Sequence, residues 1–366
     1  MIRRADIDTA RAVILRALHD RVFPAAVAGI GDSRHVLWSE PFGRLTFDDS
    51  SPATSKHTIF DLASLTKPIA TTSSILQLVS AGRLDMREPV ATFFAEWRGE
   101  DREKATVQDL LEHSSGLAAR LIDPTPGSRR ELEHEICTMP LEYSPRTQSI
   151  YSDLGFILLG FIAEDRGGAT LDRQFDDLLR HVMGVPPDLR SDPAPDLLGF
   201  DVHEAPRDRI APTKPDPSDA RRGRTLTGEV HDDYAAALGG VAGHAGLFGS
   251  VRGVQPFARA VLRASRGDET VPAPLSSVLV ARATTKTTVP GSSRALGWDT
   301  MLPSSSCGTE MSTAAFGHVG FTGTSLWIDP IRDRYFILLT NRVWGAGTIE
   351  QMRDVRRAFH DALAGL

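Results

Sequence analysis

Cysteine is nearly absent from this sequence. Only Cys137 and Cys307 occur among the 366 residues. Two isolated cysteines provide neither a disulfide framework nor the paired spacing of a structural metal site, so each is predicted to be a small buried apolar residue. Long apolar runs are also missing, because no stretch approaches the ~20 apolar residues that a membrane-spanning helix needs. The sequence therefore predicts no membrane span.

An excess of positive charge is missing too. The formal net charge is −6, with 41% hydrophobic and 24% charged residues. This balance is ordinary for a globular protein and argues against nucleic acid or an anionic membrane surface as the partner. The N-terminus, MIRRADIDTARAVILRALHD, lacks the apolar core of a signal peptide, since its longest apolar run is AVIL. It has Ile7, Ala10, Ile14 and Leu18 at helical spacing, and if this start is native we expect a cytoplasmic protein.

Several motifs of other enzyme classes do not occur. The sequence has no GxSxG nucleophile elbow, and it has neither an HExxH zinc motif nor a Walker A loop. The glycine-rich stretch LGGVAGHAG is not followed by Gly-Lys-Ser/Thr. We therefore predict that it packs closely against a helix rather than holding a phosphate. These observations lead us to expect no cofactor and no metal.

The order of apolar patterns indicates how the chain is organised. Two apolar runs around Gly-Asp-Ser in FPAAVAGIGDSRHVLWSEPFG predict a β-hairpin, and GHVGFTGTSLWID and RYFILLTN predict strands near the C-terminus. The segments VQDLLEH, SRRELEHEICTM and GFILLGFIAEDRG are helical in pattern. A last helix is predicted to pack on the sheet through Ile349, Met352, Val355, Phe359 and Leu363.

These elements predict an α/β (α+β) fold. An antiparallel sheet is built from both chain ends and flanked by helices, and a mostly helical domain is inserted between them. The sheet domain is assigned residues 1–80 and 260–366, and the helical domain residues 81–259. Eight prolines between Pro186 and Pro217 predict an irregular loop over residues 184–225, which we expect to border the functional site.

The stretch DLASLTKP places a hydroxyl and an amine three residues apart. Residues three apart share one face of a helix, so Ser64 and Lys67 can meet. Pro68 is tolerated only near a helix start, which places Ser64 at the N-terminal end of a helix. Asp61 is the predicted N-cap and Gly82 the predicted end. A serine beside an amine is a candidate nucleophile with its base, although SxxK alone is a weak signal.

Further motifs follow in a distinctive order. YSD begins at Tyr151, and HVG begins at His318 within the strand-like GHVGFTGTSLW. The order of SxxK, Tyr-x-polar and then a cationic or His residue with x-Gly on a strand resembles the class C β-lactamase and penicillin-binding-protein superfamily. That superfamily includes related serine esterases and D,D-carboxypeptidases. The supporting stretches are FDLASLTKP, LLEHSSGL, YSDLGFILLG, IAPT and GEVHDDYAAALGGVAGHAGLFGS.

The resemblance implies roles for individual residues. Ser64 would be the nucleophile that forms an acyl-enzyme, with Lys67 and Tyr151 sharing proton transfer. The oxyanion hole would consist of the backbone N–H groups of Ser64 and Phe321. Gly320 would let the substrate approach the strand edge closely.

Two positions depart from the β-lactamases of this superfamily. Asp153 stands where they have Asn, and a carboxylate cannot donate a hydrogen bond to a substrate. It is expected instead to attract Lys67, to keep it protonated and to shift the base role toward Tyr151. His318 stands where they have Lys, and a histidine is mostly neutral at pH 7. Both changes are expected to weaken recognition of a substrate carboxylate.

We therefore hypothesise a carboxylesterase that acts on small uncharged acyl esters, with a small-molecule ester or amide as its substrate. The alternatives are a β-lactamase, a D,D-carboxypeptidase or D-aminopeptidase, and a catalytically inert scaffold. An inert scaffold is disfavoured because Ser64, Lys67 and Tyr151 are all present. His113 is expected to fix structure. His231 is expected to cap the helix DDYAAALGG rather than to bind a metal.

Overall fold

The computed structural model describes residues 3–99, 101–120, 125–183, 197–345 and 347–365. In this part of the chain the strands are β1 (Ala25–Gly31), β2 (Val36–Gly43), β3 (Phe60–Asp61), β4 (Leu198–Gly199), β5 (Phe248–Gly249), β6 (Asp299–Thr300), β7 (Phe316–Val319), β8 (Ser325–Asp329) and β9 (Arg334–Thr340). The helices are α1 (Arg4–His19), α2 (Ser73–Ser80), α3 (Val107–Leu111), α4 (Arg129–Thr138), α5 (Asp153–Gly167), α6 (Leu171–Met183), α7 (Asp233–Ala237), α8 (Val251–Ser265), α9 (Ser277–Thr284) and α10 (Ile349–Ala364).

The main sheet joins the two ends of the chain. Its six strands lie in the order β2-β1-β9-β8-β7-β6, and every pairing is antiparallel. The predicted hairpin forms β1 and β2, and β1 also pairs with β9, where Ala26 lies opposite Thr340. A second, three-stranded sheet has the order β3-β5-β4. The predicted α/β (α+β) class and the antiparallel sheet built from both chain ends are confirmed.

The central strands are buried on both faces. In β1, Ala26 and Ala28 face the layer that contains α1 and α10, while Ala25 and Val27 face the larger core. This alternation follows from the two-residue period of a strand. The amphipathic patterns predicted for α1 and α10 largely hold, but Ile349 is 59% exposed, because it begins α10 at the rim of a cavity.

Helices of the middle of the chain share their core with the sheet. Val27 of β1, Ile75 of α2, Leu158 of α5 and Phe257 of α8 belong to one buried apolar cluster. The predicted division into residues 1–80 with 260–366 and residues 81–259 stays a prediction. No helix among the described residues has the length and apolarity to cross a membrane.

Two predicted segments bear on the site. Within the stretch LGGVAGHAG, a Cβ added to Gly243 would lie 2.0 Å from the carbonyl oxygen of Phe156 and 2.8 Å from the amide nitrogen of Gly160. This confirms close packing against α5. Part of the predicted irregular loop, residues 184–196, lies outside the described residues. Residues 197–225 contain the short strand β4 and a 3₁₀ turn over 207–209.

Candidate active site

Ser64 lies in a tight turn rather than in a regular α-helix. Residues 63–65 form a 3₁₀ turn, residues 67–72 form a π-helical segment, and α2 follows. Pro68 has no N–H to bond with the carbonyl of Ser64, so an α-helical ladder cannot cross this point. The predicted position at the start of a helix is correct, but the helix is irregular there. Its end is also as predicted, because Gly82 adopts a left-handed φ of +67°.

Asp61 fixes this turn without serving as the predicted N-cap. It lies in β3, and the flanking residue of the turn is Leu62. The buried carboxylate of Asp61 accepts the N–H of Ala63 at 2.8 Å and the N–H of His231 at 2.7 Å. Ala63 has a φ of +48°, which is strained for a residue with a side chain. The bonds to Asp61 therefore hold a strained turn directly before the candidate nucleophile.

Lys67 meets Ser64, as the motif predicted. Its amine donates hydrogen bonds to the Ser64 hydroxyl at 3.0 Å, to the Asp153 carboxylate at 2.7 Å and to the His244 carbonyl at 3.0 Å. These three acceptors use all three N–H bonds of an ammonium group. The side chain is fully buried, so a charged Lys67 depends on these partners.

The predicted attraction between Lys67 and Asp153 is confirmed by this ion pair. Burial by itself lowers the pKa of Lys67, but the charge of the Asp153 carboxylate, with its hydrogen bond and the neighbouring Tyr151, outweighs burial, and the net pKa is raised. Lys67 is therefore an ammonium group at neutral pH. The second oxygen of Asp153 accepts a hydrogen bond from Arg120 at 3.2 Å.

Arg120 extends the ion pair into a network. Its guanidinium also binds Asp232 at 3.0 Å and Asp233 at 2.7 Å. Asp232 in turn lies 2.7 Å from the ring of His244, whose carbonyl holds Lys67. Asp232 also caps α7 by accepting the N–H of Ala235. The expectation that His231 caps this helix is wrong, because its N–H donates to Asp61 and its ring meets the Lys214 carbonyl at 2.9 Å.

Tyr151 lies between two cations. The Lys67 amine is 4.8 Å and the Arg294 guanidinium carbon 5.0 Å from the centre of its ring. Burial raises the pKa of Tyr151, and the opposing effect of Lys67 does not cancel this. The phenol is therefore neutral at rest. His113 contacts the same ring and accepts the N–H of Ser152 at 3.0 Å, which confirms that His113 fixes the local structure.

His318 is neutral and held in one orientation. It is 2% exposed, and its Nδ1 lies 2.9 Å from the carbonyl oxygen of Val319, so Nδ1 carries the proton. Burial, with the nearby charges of Arg294 and Lys67, holds the pKa of His318 well below its usual value. This agrees with the expectation that position 318 provides no positive charge.

The strand edge packs directly on the nucleophile turn. A Cβ added to Gly320 would lie 2.2 Å from the Thr324 hydroxyl and 2.5 Å from the Leu62 carbonyl oxygen. The hydroxyl groups of Thr322 and Thr324 donate to the carbonyls of Asp61 and Leu62 at 2.7 and 3.0 Å. Only glycine permits this approach, which places Gly320 against Leu62 and Ala63, the two residues directly before Ser64.

One cavity of about 760 Å³ collects the predicted residues. Six of the seven line its wall: Ser64, Tyr151, Asp153, His318, Gly320 and Phe321. The seventh, Lys67, lies buried beneath Ser64. Asp216, Ser218 and Asp219 of the irregular loop also line the cavity, so the described part of that loop borders it as expected.

Sequence reasoning missed the arginines around this cavity. Arg120, Arg294, Arg342 and Arg356 all line it, although none lies in a recognisable motif. Among the described residues, the guanidinium of Arg294 makes no hydrogen bond or ion pair. His244 lies in the glycine-rich stretch LGGVAGHAG, and its contact with Lys67 depends on long-range packing. No local pattern could have revealed these contacts.

The comparisons with known proteins agree with this geometry. The model of the β-lactamase family matches residues 10–359. The chain therefore belongs to the β-lactamase family of serine hydrolases, as the sequence predicted.

Curated relatives carry the names of an amidase and of carboxypeptidases. The N-acetylmuramyl-L-alanine amidase of Bacillus subtilis is 31% identical over 87% of this chain and 77% of that protein. A protein of Escherichia coli strain K12, with the provisional name D-alanyl-D-alanine carboxypeptidase, is 30% identical over 78% of this chain and 69% of its own.

Solved structures confirm the fold. EstCE1, a hydrolase with promiscuous acyltransferase activity, superposes with a TM-score of 0.73 at 17% identity, over 97% of this chain and 99% of that one. The class C β-lactamase of Rhodobacter sphaeroides gives a TM-score of 0.70 at 19% identity, over 97% and 98% of the two chains. At these identities the likeness shows a shared fold and leaves the substrate open.

Proposed function

We propose that this protein is a serine hydrolase that forms an acyl-enzyme on Ser64 and acts on small acyl esters. The observation that carries the proposal is the contact of 3.0 Å between the hydroxyl of Ser64 and the buried amine of Lys67, at the wall of a cavity that also holds Tyr151. The small-molecule substrate would enter this cavity. The cytoplasmic location stays a prediction.

Acylation needs a base for the proton of Ser64. The hydroxyl oxygen would bond to the carbonyl carbon of the ester, and its proton would pass to the Lys67–Tyr151 pair. The same proton would then go to the departing alkoxide, and water would later release the acid. At rest both groups hold their protons, since the pKa of each is raised. To accept the proton of Ser64, either Lys67 or Tyr151 must first lose its own proton. Activity should therefore increase toward alkaline pH.

The strand edge at His318 favours substrates that have no carboxylate near this residue. His318 presents no positive charge there, and Val319, Phe321 and Ile349 add apolar surface to the cavity. Phe321 and Ile349 are 45% and 59% exposed, so an apolar part of a substrate could cover them. Such a surface favours an acyl ester over a charged peptide.

A second candidate function is supported by Arg294. This guanidinium lines the cavity and has no hydrogen-bonded or ionic partner among the described residues, so it could pair with a carboxylate. A D,D-carboxypeptidase or β-lactamase substrate carries such a group. The provisional name of the Escherichia coli relative points in the same direction.

The test is steady-state hydrolysis of p-nitrophenyl butyrate, a chromogenic cephalosporin and a D-alanyl-D-alanine peptide. Wild type and Ser64→Ala are compared in parallel. We expect turnover of the ester that falls at least about 10³-fold in the variant, with little turnover of the other two. Faster turnover of the cephalosporin or the peptide would favour the second candidate. Ester turnover that survives in Ser64→Ala would contradict the proposal.

A further inference from the structure

The turn after β7 is held by two arginines from the C-terminal part of the chain. Arg356 of α10 donates through Nη2 to the carbonyl of Gly320 at 2.6 Å and to the carbonyl of Thr324 at 2.9 Å. Arg342 donates to the carbonyl of Phe321 at 3.1 and 2.6 Å. Both guanidinium groups therefore bind backbone oxygens of the segment that follows the strand edge.

Within the described part of the chain, one peptide group in this turn forms hydrogen bonds through its carbonyl but not through its N–H. The carbonyl of Gly320 and the N–H of Phe321 belong to the same peptide group. The carbonyl accepts the bond from Arg356 and the amide of Gly323 at 3.0 Å. The N–H of Phe321 donates to no acceptor among the described residues. In a trans peptide the N–H points away from the carbonyl, so binding the oxygen also aims the N–H.

A cation at the carbonyl changes the strength of the opposite donor. Hydrogen bonds in series polarise one another, and a bond from a charged donor is stronger than one from a neutral donor. A positive charge on the oxygen side draws electrons from the nitrogen and makes the N–H a better donor. The peptide is also prevented from rotating, so no reorganisation is needed when negative charge develops.

The burial of Arg356 supports a role beyond packing. The residue is 7% exposed, and among the described residues it forms no ion pair. Burial and the charge of Arg342 lower the pKa of Arg356 to about 9. A buried guanidinium that binds only carbonyls is costly to folding, and an apolar side chain of similar volume could fill the same space at lower cost.

We propose that Arg356 is a positioning residue for the oxyanion hole, which fixes and polarises the Gly320–Phe321 peptide so that the Phe321 N–H stabilises the tetrahedral intermediate. The inference rests on the proposed function, because it requires an acyl transfer at Ser64. Arg342 holds the next peptide in the turn and thereby limits its movement.

The experiment compares Arg356→Gln and Arg356→Lys with the matched control Arg357→Gln. Arg357 lies next to Arg356 on α10, but it binds the carbonyls of Pro303 and Ser305. Each variant is assayed with p-nitrophenyl butyrate and with the corresponding thionoester, whose sulfur is a weaker acceptor and depends less on the oxyanion donors. Thermal unfolding is measured for every variant.

We expect Arg356→Gln to lower kcat for the oxygen ester about 10- to 100-fold with little change in KM. The rate for the thionoester should fall much less, so the ratio of the two rates shrinks. Arg356→Lys should recover part of the ratio, and Arg357→Gln should leave it unchanged. A purely structural role would lower both rates equally, in line with the fall in Tm, and this would overturn the inference.

Labelling with a fluorophosphonate separates this inference from the proposed function. If wild type is labelled at Ser64 and Arg356→Gln keeps the wild-type rate ratio, only the role of Arg356 is overturned. If wild type is not labelled at Ser64, the proposed function fails, and the inference fails with it.

Discussion

Two walls of the cavity differ in how they carry charge. At the charged wall, Asp153 and Arg120 line the cavity, and Asp153 links Arg120 to the buried Lys67 through ion pairs of 3.2 and 2.7 Å. The strand wall, residues 318–321, presents a neutral histidine, apolar side chains and backbone N–H groups. The guanidinium groups of Arg342 and Arg356 beside this wall bind its backbone carbonyls. In the proposed function, the charged wall would move protons, and the strand wall would hold the substrate and stabilise the negative charge that develops on it.

The two positions at which the sequence departs from the β-lactamase motifs, Asp153 and His318, lie on different walls of the cavity. The carboxylate of Asp153 balances the positive charge of the buried Lys67, so no substrate group is needed for this. A second free cation at position 318 would lie near Arg294, whose positive charge already lowers the pKa of His318. A neutral side chain at position 318 therefore avoids repulsion from the positive charges of Arg294 and Lys67.

The largest effect is expected at the strand wall, for Gly320→Ala. The new methyl group would overlap the Thr324 hydroxyl and the Leu62 carbonyl, so the strand edge must move away from Ser64. We expect kcat/KM for p-nitrophenyl butyrate to fall about 10²- to 10³-fold, comparable to the loss of an oxyanion donor. Gly127→Ala is the matched control, because its Cβ would lie 3.7 Å from its nearest neighbour. Equal activity in both variants would contradict the assigned role of this edge.

The next effect concerns the charged wall and its protons. Asp153 raises the pKa of Lys67, so Asp153→Asn should lower that pKa and leave burial as the dominant influence. Because the reaction needs a deprotonated amine or phenol, the alkaline rise of kcat/KM should move to lower pH by about one unit or more. The measurement is the pH–rate profile of the ester reaction.

Asp233→Asn is the control for this profile. Asp233 binds Arg120 at 2.7 Å, yet it makes no bond to Lys67, so the profile should stay close to that of wild type. An unshifted profile in Asp153→Asn would show that Asp153 does not control the base.

The smallest effect is expected at the apolar rim, for Ile349→Ser. Covering about 40 Å² of apolar surface contributes about 1 kcal/mol, or roughly fivefold in binding. The variant should therefore lose up to about fivefold in kcat/KM for p-nitrophenyl hexanoate and almost nothing for the acetate. The exposed Val278, which is 77% accessible and lies on α9, provides a matched Val278→Ser control. Equal losses of kcat/KM for the hexanoate and the acetate would show that Ile349 does not contact the acyl chain.

Much of this arrangement could be predicted from the sequence, because its signals are local. The SxxK spacing predicts that Ser64 and Lys67 can meet, and the near-continuous apolar runs of β1 and β9 indicate strands that are buried on both faces. The attraction of Asp153 for Lys67 followed from charge once the motifs were aligned in one site.

The rest depends on contacts between distant segments. Arg356 reaches Gly320 across 36 residues, and the His244 carbonyl reaches Lys67 across 177. Neither contact leaves a periodic pattern or a capping signal in the sequence. The N-cap predictions failed for a related reason, since the carboxylate of Asp61 is shared between its own turn and the distant His231.

The most direct test of the central claim is mass spectrometry of the protein quenched during turnover of p-nitrophenyl butyrate. The account predicts a butyryl group on the peptide that contains Ser64, absent in Ser64→Ala and increased when the quench is made under conditions that slow deacylation. Turnover of the ester without any acylated peptide, or with the acyl group on another residue, would contradict it.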